Sequence, residues 1–415
     1  MPSPIGKPKA RLASRLLILA GILAAAVSLA ACGSSSSSSS SSSSTSTEET
    51  TSPGSSGGSG GSPETTTYVS GIPTLEELYE GTSEAPPTTG PKAVTGKEVI
   101  IVSCGQESPG CLGATEDIAE GAKTIGWKEK VVDGKLNVDN GYSNAIRTAT
   151  ASSPDAIVLI GINCNEAKTA IEEAKAAGIA VAVNAGADCG TGSEKLFAVN
   201  QYFNKKAKGV LEFFEQYGEN QAAYVMDKTE GKAKVILVEY LGLWGKAISR
   251  GWAAAFGKCS ECEVLDTVGF EPADLAPGGP LSQRFETTLT KDQEANSVII
   301  SLSVASTYTG LAKEIVDSGR ADQILSVTGE GLADAMQLIG EGGGGLNASG
   351  AAYDQVWSSW GLVDNLNRYF NNEEAVPQGV GFTAVDAEHN LPPKGENYTS
   401  AVPYKKAYEA IWSGK

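Results

Sequence analysis

Residues 151–189 read ASSPDAIVLIGINCNEAKTAIEEAKAAGIAVAVNAGADC, and this stretch decides the fold class. Short apolar runs at 156–160 and 179–183 are typical of buried parallel strands. Between them, residues 165–177 carry alanine and isoleucine at helical spacing, and Gly178 is a helix stop signal. A strand, a helix and a second strand in this order predict part of a parallel sheet with crossover helices.

The same alternation continues on both sides of this stretch. Before it we predict a strand at 99–102 and helices at 115–125 and 143–151. After a pause at residues 196–200, we predict helices at 205–217, 247–257, 284–292 and 310–318, and strands at 234–238, 263–268, 297–302 and 323–327. The last part has an apolar run at 348–353, a long helix at about 355–370 and a short strand near 379–382. Two successive units of this kind predict an α/β fold with two domains, and residues 96–415 are long enough to form them.

The N-terminal residues carry the features of an export signal. Four basic residues lie between positions 7 and 15, an apolar stretch covers 16–29, and the sequence Leu29-Ala30-Ala31-Cys32 follows. This order is typical of a cleaved signal, and the apolar stretch is short for a membrane span. The cysteine directly after the cleavage site resembles a bacterial lipobox, which implies cleavage after residue 31 and acylation of Cys32. The alternative is an ordinary secretory signal in which Cys32 is incidental.

A low-complexity segment follows the expected cleavage site. Residues 34–44 are all serine, and Gly, Ser, Thr, Pro and Glu dominate as far as residue 67. Such a composition cannot bury enough apolar surface to offset the entropy of ordering, so we predict a flexible tether with a reach of about 30 Å. We extend the tether to residue 95 because of Pro86, Pro87 and Pro91, with one short helix possible at 74–79.

Charge and cysteine content exclude some partners. The formal net charge is −17, which disfavours nucleic acid and anionic lipid headgroups, so membrane attachment would depend on the lipid. Six cysteines besides Cys32 in an exported chain predict disulfides. Cys259 and Cys262 form a single CxxC, and His389 is the only histidine, so we expect neither a metal site nor a cofactor.

Three passages resemble a known family. They are residues 151–189, the sequence LFAVNQYFNKKAKGVLEFF at 196–214 and SRGWAAAF at 249–256. With the element order, they resemble the sugar-type periplasmic binding proteins of ABC importers, the group that includes ribose-binding protein. The resemblance implies two doubly wound parallel-sheet lobes joined by three crossing strands, with the ligand cleft between them. We assign 96–202 and 354–378 to lobe 1, and 203–353 and 379–415 to lobe 2.

The resemblance places binding residues in the loops that follow the strands, which is also the general rule for open α/β sheets. The candidates are Gln106, Glu107, Asn163, Asn184, Trp244, Lys246, Tyr308, Glu330, Tyr353 and Gln355. Asn163 and Asn184 also suit loop turns, so a structural role is an equal alternative for both. Trp357 is a further candidate for stacking on a ligand, although a place in the helix core is favoured.

The sequence departs from the family at several of these loops. Asn184-Ala185 stands where sugar binders commonly have Asp-Arg, residues 109–112 lack the usual aromatic pair, and Glu330 replaces an Asp. A charged clamp for sugar hydroxyls is therefore mostly missing. We expect one small, mostly uncharged polar ligand, sugar-like or related.

Six cysteines allow 15 disulfide pairings, and sequence alone does not choose among them. In the fold that the resemblance implies, we expect Cys104–Cys111, Cys164–Cys189 and Cys259–Cys262.

The function implied by the resemblance is solute delivery to an ABC permease, at the extracytoplasmic face of the bacterial cell membrane, on the periplasmic side. One alternative is a sensory binding protein that presents its closed form to a membrane receptor, and neighbouring genes would discriminate the two. The other is a cleft hydrolase on the same fold. The chain has no P-loop. GxSxG occurs only in the Gly/Ser-rich segment (54–58 and 57–61), and GxGxxG only in the glycine run at 340–345, where it does not link a predicted strand to a predicted helix. We therefore expect no enzymatic activity.

Overall fold

The computed structural model describes residues 68–414. The predicted export signal, Cys32 and the serine-rich part of the predicted tether lie outside these residues. In lobe 1 the strands are β1 (Glu98–Ser103), β2 (Lys128–Asp133), β3 (Ala156–Ile160), β4 (Ala180–Asn184) and β5 (Val199–Asn200). They form one parallel sheet in the order β2-β1-β3-β4-β5. Strands β3 and β4 are buried at every position, as expected for strands covered by helices on both faces.

Lobe 2 repeats this topology. Its strands are β6 (Lys234–Tyr240), β7 (Glu263–Phe270), β8 (Ser297–Ile300), β9 (Leu325–Glu330), β10 (Ala348–Ala352) and β11 (Thr383–Asp386). Their order is β11-β10-β9-β8-β6-β7, which is the order of lobe 1 with one antiparallel strand, β11, added at the edge. The predicted fold class of two doubly wound parallel-sheet lobes is confirmed.

Helices cover both sheets and connect their strands. They are α1 (Leu75–Glu80), α2 (Pro109–Thr124), α3 (Gly141–Ala151), α4 (Cys164–Ala176), α5 (Val210–Lys228), α6 (Leu243–Phe256), α7 (Pro280–Lys291), α8 (Ser303–Ser306), α9 (Leu311–Asp317), α10 (Ala333–Glu341), α11 (Gln355–Phe370) and α12 (Tyr404–Ser413). Among the described residues, no helix is both long and apolar enough to cross a bilayer.

Helix α5 differs from the sequence prediction, which ended it at residue 217. The helix continues to Lys228, and the polar Asn220 and Gln221 are buried within it. Gln221 accepts a hydrogen bond from Trp252 Nε1 (2.9 Å) and donates one to the carbonyl of Ile300 (3.2 Å). These polar side chains stand at core positions, so the apolar periodicity that marks a helix is interrupted there.

The chain crosses between the lobes at residues 201–209, 353–354 and 371–382, where three crossings were predicted. The first and third run side by side: the Gln378 amide donates to the Tyr202 carbonyl (3.0 Å) and the Val380 amide to the Phe203 carbonyl (2.9 Å). The short strand predicted near 379–382 is therefore wrong in position. These residues belong to the crossing, and β11 starts at Thr383.

Residues 68–95, which the sequence analysis assigned to the tether, are instead part of the folded structure. Helix α1 is capped by Thr74 and Glu77 and buries Leu78. The amides of Thr82 and Glu84 then donate to carbonyls of the third crossing, each at 2.8 Å. The prolines that suggested a tether suit this segment, because an extended strand of this kind can include residues without an amide donor.

Helix α12 packs on lobe 1, whereas the sequence analysis placed residues 379–415 in lobe 2. Trp412 Nε1 donates to Asp364 Oδ1 (3.0 Å), and the Tyr408 hydroxyl donates to Gln378 Oε1 (2.6 Å). The ring of Tyr404 stacks on Trp357 with centroids 5.2 Å apart. Trp357 is fully buried by this contact, which agrees with the favoured core role. The assignment to lobe 2 is therefore wrong for α12, because its aromatic side chains pack on α11 after a long connection, whereas β11 does pair with β10 in the lobe 2 sheet.

The three disulfides join the pairs that the sequence analysis expected from the family fold: Cys104–Cys111, Cys164–Cys189 and Cys259–Cys262. The first two follow strands β1, β3 and β4 in lobe 1. They therefore fix the loops at the carboxyl edge of that sheet.

A buried ion pair in α11 anchors the segment that follows α1 in the chain. Arg368 Nε donates to Asp364 Oδ2 (2.8 Å), and the two side chains are only 5% and 0% exposed. Arg368 Nη2 also donates to the carbonyl of Thr89 (2.7 Å). Breaking a buried pair leaves an uncompensated charge in a low-dielectric interior, which costs several kcal/mol.

We expect Arg368→Met to lower the free energy of unfolding by about 3 kcal/mol, measured by urea denaturation. Adding Asp364→Asn should recover part of this loss, because the unpaired charge is removed. The control is Lys313→Met, which breaks the exposed pair with Asp317 and should have little effect. Arg368→Met with unchanged stability, or no recovery in the double variant, would show that the pair does not anchor this segment.

Candidate functional site

The carboxyl edges of the two parallel sheets face a common cleft. The parallel strands are ordered β2-β1-β3-β4-β5 in lobe 1 and β7-β6-β8-β9-β10 in lobe 2. The direction in which successive strands are added to the sheet therefore reverses between β1 and β3 in lobe 1, and between β6 and β8 in lobe 2. Loops diverge at such a point and leave a crevice beyond the strand ends. A cavity of about 180 Å³ lies there, and both lobes contribute to its walls.

The wall from lobe 1 presents amides and hydroxyls. Asn184, at the end of β4, is 5% exposed and donates from Nδ2 to Ser359 Oγ (3.1 Å). Gln201, just after β5, accepts from the Ala185 amide (2.6 Å) and donates to Ser358 Oγ (2.7 Å). These bonds hold the amide groups in one orientation, so a ligand would meet donors and acceptors that are already positioned.

The Cys104–Cys111 disulfide forms a second part of the lobe 1 wall, and Ser108 lies in the loop that it closes. Gly161 packs directly against it, in a left-handed conformation with φ +63°. A Cβ at this position would lie 3.0 Å from Cys104 Sγ and 3.7 Å from Cη2 of Trp244, which belongs to lobe 2. The two lobes therefore approach each other closely at Gly161.

The wall from lobe 2 is mainly aromatic. Phe213 and Phe214 come from α5, Trp244 from α6, and Tyr353 follows β10. The Phe214 and Trp244 rings are stacked with centroids 5.7 Å apart, and Phe213 meets Tyr353 edge to face at 5.1 Å. Trp244 Nε1 is buried and has no hydrogen-bond partner among the described residues. An unpaired buried N–H costs about 1–3 kcal/mol, so it is a ready donor for a ligand or a water molecule.

Glu330 supplies the carboxylate of the cavity from the end of β9. Its Oε2 accepts a hydrogen bond from the Ser303 amide (2.7 Å). Burial raises the pKa of this carboxyl, and the bonds from Ser303 act in the opposite direction. Burial also raises the pKa of the Tyr353 hydroxyl, and the charge of Glu330 adds to that effect.

The backbone around Glu330 is constrained. Glu330 has φ +65°, a left-handed conformation that a residue with a long side chain rarely adopts. The preceding Gly329 packs so closely on Tyr217 that a Cβ would lie 2.0 Å from its hydroxyl oxygen. Strain of this kind persists where surrounding contacts impose it, and it is common at binding sites.

Half of the residues proposed from the sequence line the cavity. These are Asn184, Trp244, Glu330, Tyr353 and Gln355. The structure does not bring the other five into its walls. These are Gln106, Glu107, Asn163, Lys246 and Tyr308.

The positions of these five residues have local explanations. Asn163 caps α4: its amide and Nδ2 donate to Glu166, and its Oδ1 accepts from the Ala187 amide (3.1 Å), which is the turn role. The backbone amide of Gln106 donates to Asp133 Oδ1 (3.1 Å), in the loop beside the disulfide. Tyr308 is 63% exposed, since the short helix α8 brings Ser303 to Glu330 and carries Tyr308 outwards. Glu107 and Lys246 are exposed.

Sequence reasoning missed seven polar and aromatic residues of the walls. These are Ser108, Gln201, Phe203, Phe213, Phe214, Ser358 and Ser359. Phe213 and Phe214 lie in the helix predicted at 205–217 and look like ordinary core residues. Gln201 lies in the predicted pause before the first crossing, and that position is the signal that could have identified it.

The cavity can bind a solute, but it has no paired nucleophile and base. His389 Nδ1 lies 2.9 Å from Asp386 Oδ1, and neither residue lines the cavity. Within residues 68–414, no group of three His, Cys, Asp or Glu is placed to hold a metal ion.

Comparison with known proteins agrees with this arrangement. Residues 99–364 match the model of the periplasmic binding protein domain. No curated protein matches the chain.

Solved structures share the fold at low identity. A sugar ABC transporter protein from Yersinia enterocolitica is 15% identical, with a TM-score of 0.61, and the match covers 80% of this chain and 99% of that one. GanP, a glucose-galactose binding protein from Geobacillus stearothermophilus, is 13% identical, with a TM-score of 0.58 and coverages of 72% and 99%. The binding component of the arabinose ABC transporter from Shewanella sp. ANA-3 is 18% identical, with a TM-score of 0.57 and coverages of 70% and 92%.

The family match spans more than half of the chain and includes both lobes and the cleft. It agrees with the expectation of a binding protein outside the cytoplasm that carries out no chemistry on its ligand. The chain therefore belongs to the periplasmic binding protein family, which consists of solute-binding proteins and not enzymes.

Proposed function

We propose that this protein binds a sugar-like polar solute outside the cytoplasm and delivers it to an ABC importer. The observation that carries the proposal is a cavity with oriented amides on one wall and aromatic rings on the other. The structural neighbours described as arabinose and glucose-galactose binding proteins support the ligand class, because they share the fold.

The two walls match the two surfaces of a sugar. Hydroxyl groups can both donate and accept, as can the amides of Asn184, Gln201 and Gln355. The C–H surface of a pyranose or furanose ring can pack on the face of Trp244. A ligand with both kinds of surface would fill the cavity with few unpaired polar groups.

Binding would also stabilise one arrangement of the lobes. A ligand that contacts both walls binds more tightly when the walls are close, and this difference in affinity drives closure. Gly161 and Trp244 already lie near each other across the cleft. An importer could then recognise the closed form.

We expect Trp244→Ala and Asn184→Ala each to weaken binding about tenfold or more, which corresponds to a loss of at least about 1.4 kcal/mol. Calorimetry with L-arabinose, D-glucose, D-galactose and D-ribose is the direct measurement. Tyr369→Ala is the matched aromatic control, because Tyr369 is exposed at the end of α11 and lies outside the cavity. A product formed from the bound sugar, or full affinity in Trp244→Ala, would refute the proposal.

We also propose that Cys32 is acylated and attaches the protein to the membrane. The support is the sequence Leu29-Ala30-Ala31-Cys32 with the serine-rich segment behind it. Cys32→Ala should move the protein from the detergent phase to the aqueous phase in a detergent partition, or leave its signal uncut. Ser40→Ala, within the serine run, should change nothing. A wild-type protein that partitions into the aqueous phase would contradict this proposal without affecting solute binding.

A further inference from the structure

The charged groups of the cavity are unbalanced. Among the described residues that line it, Glu330 carries a formal negative charge, and none is Lys, Arg or His. Lys246, the one basic residue among the sequence-based candidates, is exposed and lies outside the walls. The carboxylate therefore has no cationic partner in the wall.

One oxygen of Glu330 remains free for a ligand. Oε2 accepts from the Ser303 amide, whereas Oε1 forms no hydrogen bond with residues 68–414. Ser303 Oγ donates in turn to the Gly329 carbonyl (2.7 Å), which holds this part of the chain in place. The side chain is thus fixed by its neighbours and is not a mobile surface acid.

The surroundings of Glu330 favour a positive charge over a negative one. The aromatic wall includes Tyr353 and Trp244, and the faces of such rings attract cations. An anion beside the ionised carboxylate would meet like-charge repulsion, which is stronger in a partly enclosed cavity than in open water. A neutral hydroxyl can donate to Oε1, but it leaves the charge of Glu330 uncompensated.

We propose that Glu330 makes the cavity selective for charge, so that a sugar-like solute carrying a protonated amine binds better than the matching neutral sugar, and the matching acid is excluded. This inference rests on the proposed function and names the ligand class of the same site. Glu330 determines this specificity through one direct contact between its Oε1 atom and the amine.

The test uses sugars that have similar shape and differ in charge. D-glucosamine, D-glucose and D-glucuronate form one set, and D-galactosamine, D-galactose and D-galacturonate form a second. Calorimetry is run at about pH 6, where the amines are protonated and the acids ionised. For at least one set, we expect the amine to bind about tenfold more tightly than the neutral sugar, and the acid to give no detectable binding.

Glu330→Gln keeps the shape of the side chain and an oxygen for the Ser303 amide, but removes the charge. In this variant the amine and the neutral sugar should bind within about threefold of each other. Glu330→Asp retains the charge and should retain the order of affinities. Glu261→Gln is the matched control, because Glu261 is exposed in the turn that precedes β7, at the opposite edge of the lobe 2 sheet. Thermal unfolding of each variant establishes that it is folded.

The outcomes separate this inference from the proposed function. Wild-type protein that binds the acid, or binds the amine no better than the neutral sugar, overturns charge selection while sugar binding stands. Retention of the full order in Glu330→Gln shows that Glu330 does not set it. An absence of binding across both sets and the neutral sugars tested above contradicts the proposed function, and this inference with it.

Discussion

Helix α11 carries buried polar side chains along its whole length, and the lobe 1 wall of the cleft and the third crossing both depend on them. At its start, Ser358 and Ser359 hold the side-chain amides of Gln201 and Asn184 in the cavity wall.

Further along α11, Asn365 exchanges two hydrogen bonds with Val376 at the third crossing (2.9 and 3.1 Å). Asn367 accepts from the Val94 amide and donates to the Pro91 carbonyl. Every one of these groups would be costly to bury unpaired, so the helix and the segments it binds must form together.

This arrangement couples the ligand site to the connections between the lobes. The same rigid element positions two amides of the lobe 1 wall and fixes the segments on which a lobe rotation would turn. Asn184 and Gln201 are therefore connected to the crossing segments through hydrogen bonds to α11. Packed and hydrogen-bonded interiors move between discrete arrangements rather than deforming continuously.

The two walls of the cavity provide different kinds of contact. Lobe 1 supplies amides and hydroxyls whose directions are set by hydrogen bonds, and such groups discriminate the pattern of donors and acceptors on a ligand. Lobe 2 supplies ring faces, which contribute contact area with little directional demand. Glu330 is the exception in lobe 2: its carboxylate accepts a hydrogen bond from the Ser303 amide, and its backbone has a left-handed conformation. Oriented polar groups, apolar contact area and a charged group are thus provided by separate elements of one fold.

The sequence by itself determined the two α/β units, because the strands β3 and β4 are continuous apolar runs separated by a helical pattern, and these signals are local. It also located Asn184, Trp244 and Glu330, since loops after parallel strands meet at one edge of the sheet. Only the tertiary structure decided that residues 68–95 belong to the folded body and that α12 packs on lobe 1. It likewise decided that Phe213 faces the cavity and that α5 extends through Gln221. These features depend on contacts between residues far apart in the chain, such as Trp412 with Asp364 and Thr82 with Phe382, and no local pattern records such contacts.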